Sequence, residues 1–186
     1  MKKIIIASLL LLTISSVSFG QAKFLSRAGH IWFYSKTPVE TIEAHNYQVA
    51  SFLDVTKGTI AFEVLNKSFK FERALMEEHF NENYMESEKF PKATFKGQIT
   101  NLKDINFSKD GVYDITLKGT LDMHGVKAAR EIKGKLIIKN GAPVKATATF
   151  DVKLVDHKIK IPKAVVMNIA EVIAVDVDFA LERYQK

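Results

Sequence analysis

From about residue 29 onward, apolar and polar residues alternate with a period of two, the mark of strands with one buried face. In Thr59 to Val64, the side chains of Ile60, Phe62 and Val64 share a face opposite Thr59 and Glu63. Ser68 to Glu72 resumes the alternation with Phe69 and Phe71 after Asn66-Lys67, so Gly58 to Glu72 reads as a hairpin. Val112 to Met123 sets Tyr113, Ile115, Leu117, Gly119, Leu121 and Met123 against Asp114, Thr116, Lys118 and Asp122. Glu131 to Lys139 carries Ile132, Leu136 and Ile138, Lys145 to Val155 carries Phe150 and Val152, and Glu171 to Glu182 carries Val177 and Phe179. His30 to Ser35, with Phe33, and Thr94 to Leu102 are shorter candidates. Ile42 to Phe52 reads as part strand and part loop.

Turn signals separate these runs: Lys57-Gly58, Asp110-Gly111, His124-Gly125 and Asn140-Gly141. One segment has helical spacing, Arg73 to Tyr84, with Leu75, Met76, His79, Phe80 and Tyr84 recurring and Glu77, Glu78 and Glu82 outside. Seven to nine antiparallel strands imply an all-β sandwich or barrel. Gly97, Gly119 and Gly134 fall inside strand patterns, where glycine weakens pairing unless the strand must bend or be approached closely. Barrel corners require such bends, which favours a closed barrel. A barrel of eight strands is either filled by its own side chains or holds one small ligand.

The N-terminus changes the reading of the charge. Met1-Lys2-Lys3, the apolar run from Ile4 to Val17, and Ser18-Phe19-Gly20 form the three parts of a secretory signal, with cleavage expected near Gly20. The run is shorter than the roughly 20 residues of a bilayer span. Residues 1–20 are therefore expected to be a leader and residues 21–186 one domain, periplasmic or secreted, with no transmembrane segment. Losing Lys2 and Lys3 lowers the formal charge of +6 by two. The rest is spread without a basic block, which argues against nucleic-acid binding. The absence of cysteine excludes a disulfide scaffold, a thiolate metal site and a cysteine nucleophile.

Candidate chemistry is sparse. His30, His45, His79, His124 and His157 form no metal-ligand spacing. Asp156 and His157 are adjacent, and in a strand they would point to opposite faces. Glu77, Glu78, Glu82, Glu86 and Glu88, interspersed with Lys89 and Lys92, read as a solvated face rather than a cation loop. There is no nucleophile elbow, phosphate loop or dinucleotide turn. Nothing here argues for catalysis, a metal or a cofactor.

Several motifs occur together. Glu78-His79-Phe80 is followed by Phe90-Pro91-Lys92-Ala93-Thr94-Phe95, then by Gly119-Thr120-Leu121-Asp122-Met123-His124-Gly125-Val126. Phe150-Asp151-Val152, Asp156-His157-Lys158-Ile159 with Pro162, and Gly58-Thr59-Ile60-Ala61-Phe62 complete the set. This combination resembles the YceI-like lipid/polyisoprenoid-binding family over most of residues 29–182. The resemblance implies a lipocalin-like antiparallel eight-stranded barrel with one short packed helix. It also implies an apolar tunnel for an isoprenoid or similar chain, and export. Phe80 and His157 stand where the family more often has leucine and an aromatic residue, and the segment from Phe62 to His79 is shorter than usual, which implies a narrower mouth.

The expected apolar lining is Phe33, Ile60, Phe62, Phe69, Phe71, Ile115, Leu117, Leu136, Phe150, Val152, Val177 and Phe179, with Lys127 and Arg130 as headgroup contacts. The expected partners are an isoprenoid or other apolar lipid and, on the protein side, a second copy in a homodimer. The competing reading is an envelope interaction module with a solidly packed barrel. A weaker third is an enzyme with His124 or His79 as base, which would need that histidine to face the cavity beside a carboxylate.

Overall fold

The computed structural model describes residues 22–185, so the expected leader lies outside the described residues. Eight long strands form the barrel: β1 (Lys23–Lys36), β2 (Thr41–Asp54), β3 (Thr59–Leu65), β5 (Lys92–Ile99), β6 (Gly111–Met123), β7 (Val126–Lys139), β8 (Ala142–Lys153) and β9 (Val172–Ala180). Two-residue strands β4 (Lys70–Phe71) and β10 (Glu182–Arg183) pair at the margins. Neighbours run β1-β9-β8-β7-β6-β5-β3-β2, all antiparallel, and β1 pairs with β2 to close the ring. Helix α1 (Ala74–His79) continues through a wider-wound turn, Phe80–Tyr84. Closure removes the exposed edges that an open sheet would present.

The expected hairpin from Gly58 to Glu72 does not form. β3 pairs with β2 and β5, while β4 pairs with β2 through Ala44 opposite Phe71. The reason is Asn66, which is buried and tied sideways: its backbone N–H donates to Pro91 O (2.9 Å) and its Nδ2 to Phe90 O (2.6 Å). Those bonds wind Asn66–Ser68 into a single 3-10 turn instead of a reversal.

The stretch that read as half loop is also corrected: β2 is continuous over its 14 residues. Its pairing with β1 shifts register between Ser26 and Ile31. The buried residues of β2 accordingly change phase, with Asn46 and Val49 both inside. Such bulges bend a strand, as closing a small barrel requires. Asn46 fits the interior because its Nδ2 donates to Leu65 O (2.9 Å) and its Oδ1 accepts from Gln48 N–H (2.8 Å).

Glycine acts where two strands and a ring must share space. Gly97 lies opposite Gly119. A Cβ on Gly119 would stand 2.6 Å from Gly97 Cα and 2.7 Å from the Phe95 ring. Bare backbone here lets the fully buried Phe95 ring lie inward over both glycines. Phe62 stacks on Phe95 at 5.3 Å and approaches Phe179 at 5.7 Å, so three rings cross the middle of the barrel.

Candidate functional site

That aromatic layer divides the interior. On one side Ile60, Ile115, Leu117, Leu136, Val177 and Phe179 are buried in a continuous core with Leu53, Ile99 and Ile138. On the other side is a cavity of about 410 Å³, within the ordinary range for small-molecule sites. Phe33, Phe62, Phe69, Phe71, Phe150 and Val152 line it, together with Ile31, Val64, Leu121 and Ile173. Of the twelve residues expected at the lining, then, six face the cavity and the other six belong to the packed half. Period-two alternation places all twelve inward but carries no information on depth along the barrel axis.

Phe80 roofs the cavity. Its ring stands 5.7 Å from Phe33, 5.4 Å from Phe69 and 5.1 Å from Phe71, which clamps the helical segment over the open end. Met76 and Tyr84 flank Phe80 along the same lid. Burial raises the Tyr84 hydroxyl above its ordinary titration range, so it adds a neutral polar group to the lid.

The polar part of the mouth is a clasp. Arg73 Nη2 donates to Glu40 Oε1 (2.6 Å), and Asn168 Nδ2 donates to Glu40 Oε2 (3.0 Å). One carboxylate thus ties the β1–β2 turn to the helix start and to the long β8–β9 loop. Ser35 Oγ accepts from Ala170 N–H (2.9 Å) and holds the same loop against β1. Sequence reasoning missed the clasp because Glu40, Arg73 and Asn168 are far apart in the chain and obey no motif. It also missed Ile159, Val165 and Ile169, which enclose the cavity from a loop without strand periodicity, and it carried Leu154 on as strand where a 3-10 turn begins.

Lys127 and Arg130 do not reach the mouth and are not part of the lining. Lys127 is exposed on β7, opposite Asp122. Arg130 turns to Asp156 Oδ2 (3.0 Å) and to His157 Nε2 (3.3 Å). The expectation that Asp156 and His157 diverge from a strand also fails: Leu154–His157 is a 3-10 turn, and both side chains meet Arg130.

His157 is fully buried, sharing its Nδ1–H between Met123 O and Val126 O at 3.2 Å each. Burial pushes its titration below the ordinary histidine range, and Arg130 adds to that. His124 occupies the two-residue turn with Gly125, both at positive φ, as a type I′ hairpin requires. Its Nδ1 bonds His157 O (2.9 Å) and its Nε2 pairs with Glu86 (2.8 Å). This cluster pins the hairpin, the β8 exit and the end of the lid together.

The geometry required of a cavity base is not met by either candidate. His124 has its carboxylate but lies outside the lining, while His79 lines the mouth with no ion-pairing carboxylate among the described residues. The described residues also hold no group of three or more histidines and carboxylates suited to a metal ion. The acidic residues near the lid are partly engaged, Glu77 with Lys70, Glu86 with His124 and Glu88 with Lys67.

No curated protein matches the chain. Solved structures share its fold at low identity. A polyisoprenoid-binding domain from Saccharophagus degradans, implicated in plant cell wall breakdown, aligns at TM-score 0.72 and 13% identity, covering 88% of this chain and 99% of that one. BcnA of Burkholderia cenocepacia aligns at 0.66 and 13% identity, covering 83% and 96%. The YceI protein of Campylobacter jejuni aligns at 0.57 and 14% identity, covering 76% and 85%. The family model for the YceI-like domain matches residues 14–181. With its closed eight-stranded barrel, short helix and matched motifs, the chain belongs to the YceI-like domain family.

Proposed function

We propose that this protein is an exported, non-enzymatic carrier that holds an isoprenoid or other long-chain apolar lipid in the open half of its barrel. The observation that carries the reading is the cavity of about 410 Å³ walled by Phe33, Phe62, Phe69, Phe71, Phe80, Phe150 and Val152. Apolar-walled space of this size hydrates poorly, and each methylene that enters contributes about 0.8 kcal/mol. A long chain therefore binds without a charged anchor. A barrel packed solid would leave no such space, so the interaction-module reading has less support. The polyisoprenoid binding named for the S. degradans domain points to the same ligand class. The N-terminal pattern of Lys2-Lys3, the apolar run and Ser18-Phe19-Gly20 supports export.

Native mass spectrometry of protein purified from its own host, followed by organic extraction, tests this reading. A mass increment that disappears on extraction, with a lipid recovered in the organic phase, is the expected result. Repeated recovery of protein without any extractable lipid overturns it.

A further inference from the structure

A carrier for an apolar chain must exchange it with an apolar phase, and one lip of the mouth combines exposed apolar side chains with lysines that form no ion pair among the described residues. Within the β8–β9 loop, residues 158–170 read Lys-Ile-Lys-Ile-Pro-Lys-Ala-Val-Val-Met-Asn-Ile-Ala, three lysines without an acidic residue, flanked by Asp156, which pairs with Arg130, and by Glu171 next to β9. Its inward residues Ile159, Val165 and Ile169 enclose the cavity. Its outward side exposes Val166 at 49% and Met167 at 66% beside Lys158, Lys160 and Lys163. None of these three lysines takes part in an ion pair among the described residues.

The clasp extends this surface across the mouth. Asn168 holds Glu40, and the residue preceding each of them, Met167 in the β8–β9 loop and Val39 in the β1–β2 turn, is exposed. Exposed apolar side chains flanked by free lysines match the two attractions of a membrane interface, apolar insertion and anionic headgroups. The opposite lip differs in charge: it also exposes an apolar side chain, Leu75, but among exposed Glu72, Glu78 and Glu82, which the same headgroups would repel.

From this placement we propose that the β8–β9 loop docks the cavity mouth onto an anionic lipid bilayer, with the helical lip tilted away. The docking rests on the lipid-carrier reading for its purpose, though not for its physics. It places the clasp at the contact, where the exchange path begins, and it makes attachment sensitive to salt.

The test uses the chain beginning at Gln21, because every barrel strand lies between Lys23 and Ala180. It is sedimented with vesicles of phosphatidylglycerol mixed with phosphatidylcholine, and with phosphatidylcholine alone. Binding to the first and much weaker binding to the second is expected. The triple variant Lys158→Glu, Lys160→Glu, Lys163→Glu should weaken the anionic-vesicle partition by roughly 100-fold or more. Met167→Asp should weaken it about tenfold through lost insertion. A triple Lys→Gln variant should follow the same direction at smaller amplitude, which covers any unfolding caused by charge reversal.

Retention of the apolar dye diphenylhexatriene, measured on the same proteins without vesicles, separates the two readings. Lost partitioning with retained dye supports docking by this loop. No sedimentation with anionic vesicles, or sedimentation that the triple variants leave unchanged, overturns it. Vesicle binding with no dye uptake by the parent protein overturns the carrier reading and leaves the docking in place.

Discussion

The two ends of this barrel are built from the same strands and the same alternation, yet one is filled and the other is open. At the filled end Leu136, Ile138, Ile115 and Leu117 belong to the packed core with almost no exposure. At the open end the strands carry Phe33, Phe150 and Val152 on the cavity wall, and Phe33 meets a roof of Phe69, Phe71 and Phe80. What separates the ends is the Phe62, Phe95 and Phe179 layer, which glycines at positions 97 and 119 make room for. The filled half is close-packed core, and the open half leaves the cavity that the proposed carrier role would use.

Truncating the dividing layer should have the largest effect. Phe95→Ala is expected to cost about 3–5 kcal/mol, and to extend the cavity toward the packed half. Denaturant unfolding reads the first consequence, and a preference for longer alkyl probes reads the second. Stability lost with no change in chain-length preference would mean that Phe95 is not a floor.

Leu136→Ala, inside the filled half, should cost about 2–5 kcal/mol and leave dye binding by the surviving folded protein unchanged. Reduced affinity in that variant would show that the two halves are coupled. Phe80→Ala should do the opposite: it removes a half-buried lid ring, so unfolding shifts less, while dye affinity falls on the order of 10-fold or more.

Titration reads the buried histidine beside the open end. Burial lowers the His157 pKa, so the unfolded chain takes up its proton first as acid is added. The associated stability is fully present above the ordinary value of 6.5 and is lost as pH falls from there through the folded-state value. His30, on the outer wall, shifts the same way through burial and the neighbouring His45. Unfolding midpoints measured across this window should therefore fall with pH, and His157→Gln should flatten the fall. An unchanged slope would contradict the buried neutral assignment. Smallest of all, Arg73→Ala removes an exposed pair worth at most about 1 kcal/mol; faster dye release with a nearly unchanged melting curve is expected.

The same division explains what could be read from the sequence. Alternation identified the long strands because one buried face dictates period two, whatever fills the barrel. It misread β2, where buried Asn46 and Ser51 break the apolar pattern and a bulge moves the phase. It misread Asn66, whose sideways bonds to the Phe90-Pro91 segment are invisible along the chain. The open end was least legible for the same reason. Its lid, clasp and β8–β9 loop are assembled from distant segments, and the Arg130 expected at a headgroup is instead committed to Asp156 and His157. Depth inside the barrel is a tertiary property, so alternation could name Ile60 and Phe62 as inward without distinguishing packed core from cavity wall.

On the proposed reading, the open half holds an apolar chain by burial alone. Calorimetric titration with decanol, dodecanol and tetradecanol tests it most directly. Each added methylene should tighten binding about fourfold, as about 0.8 kcal/mol per buried group requires, until the chain reaches the Phe62 layer and the gain stops. Affinity independent of chain length, or no binding by any of the three, would contradict it.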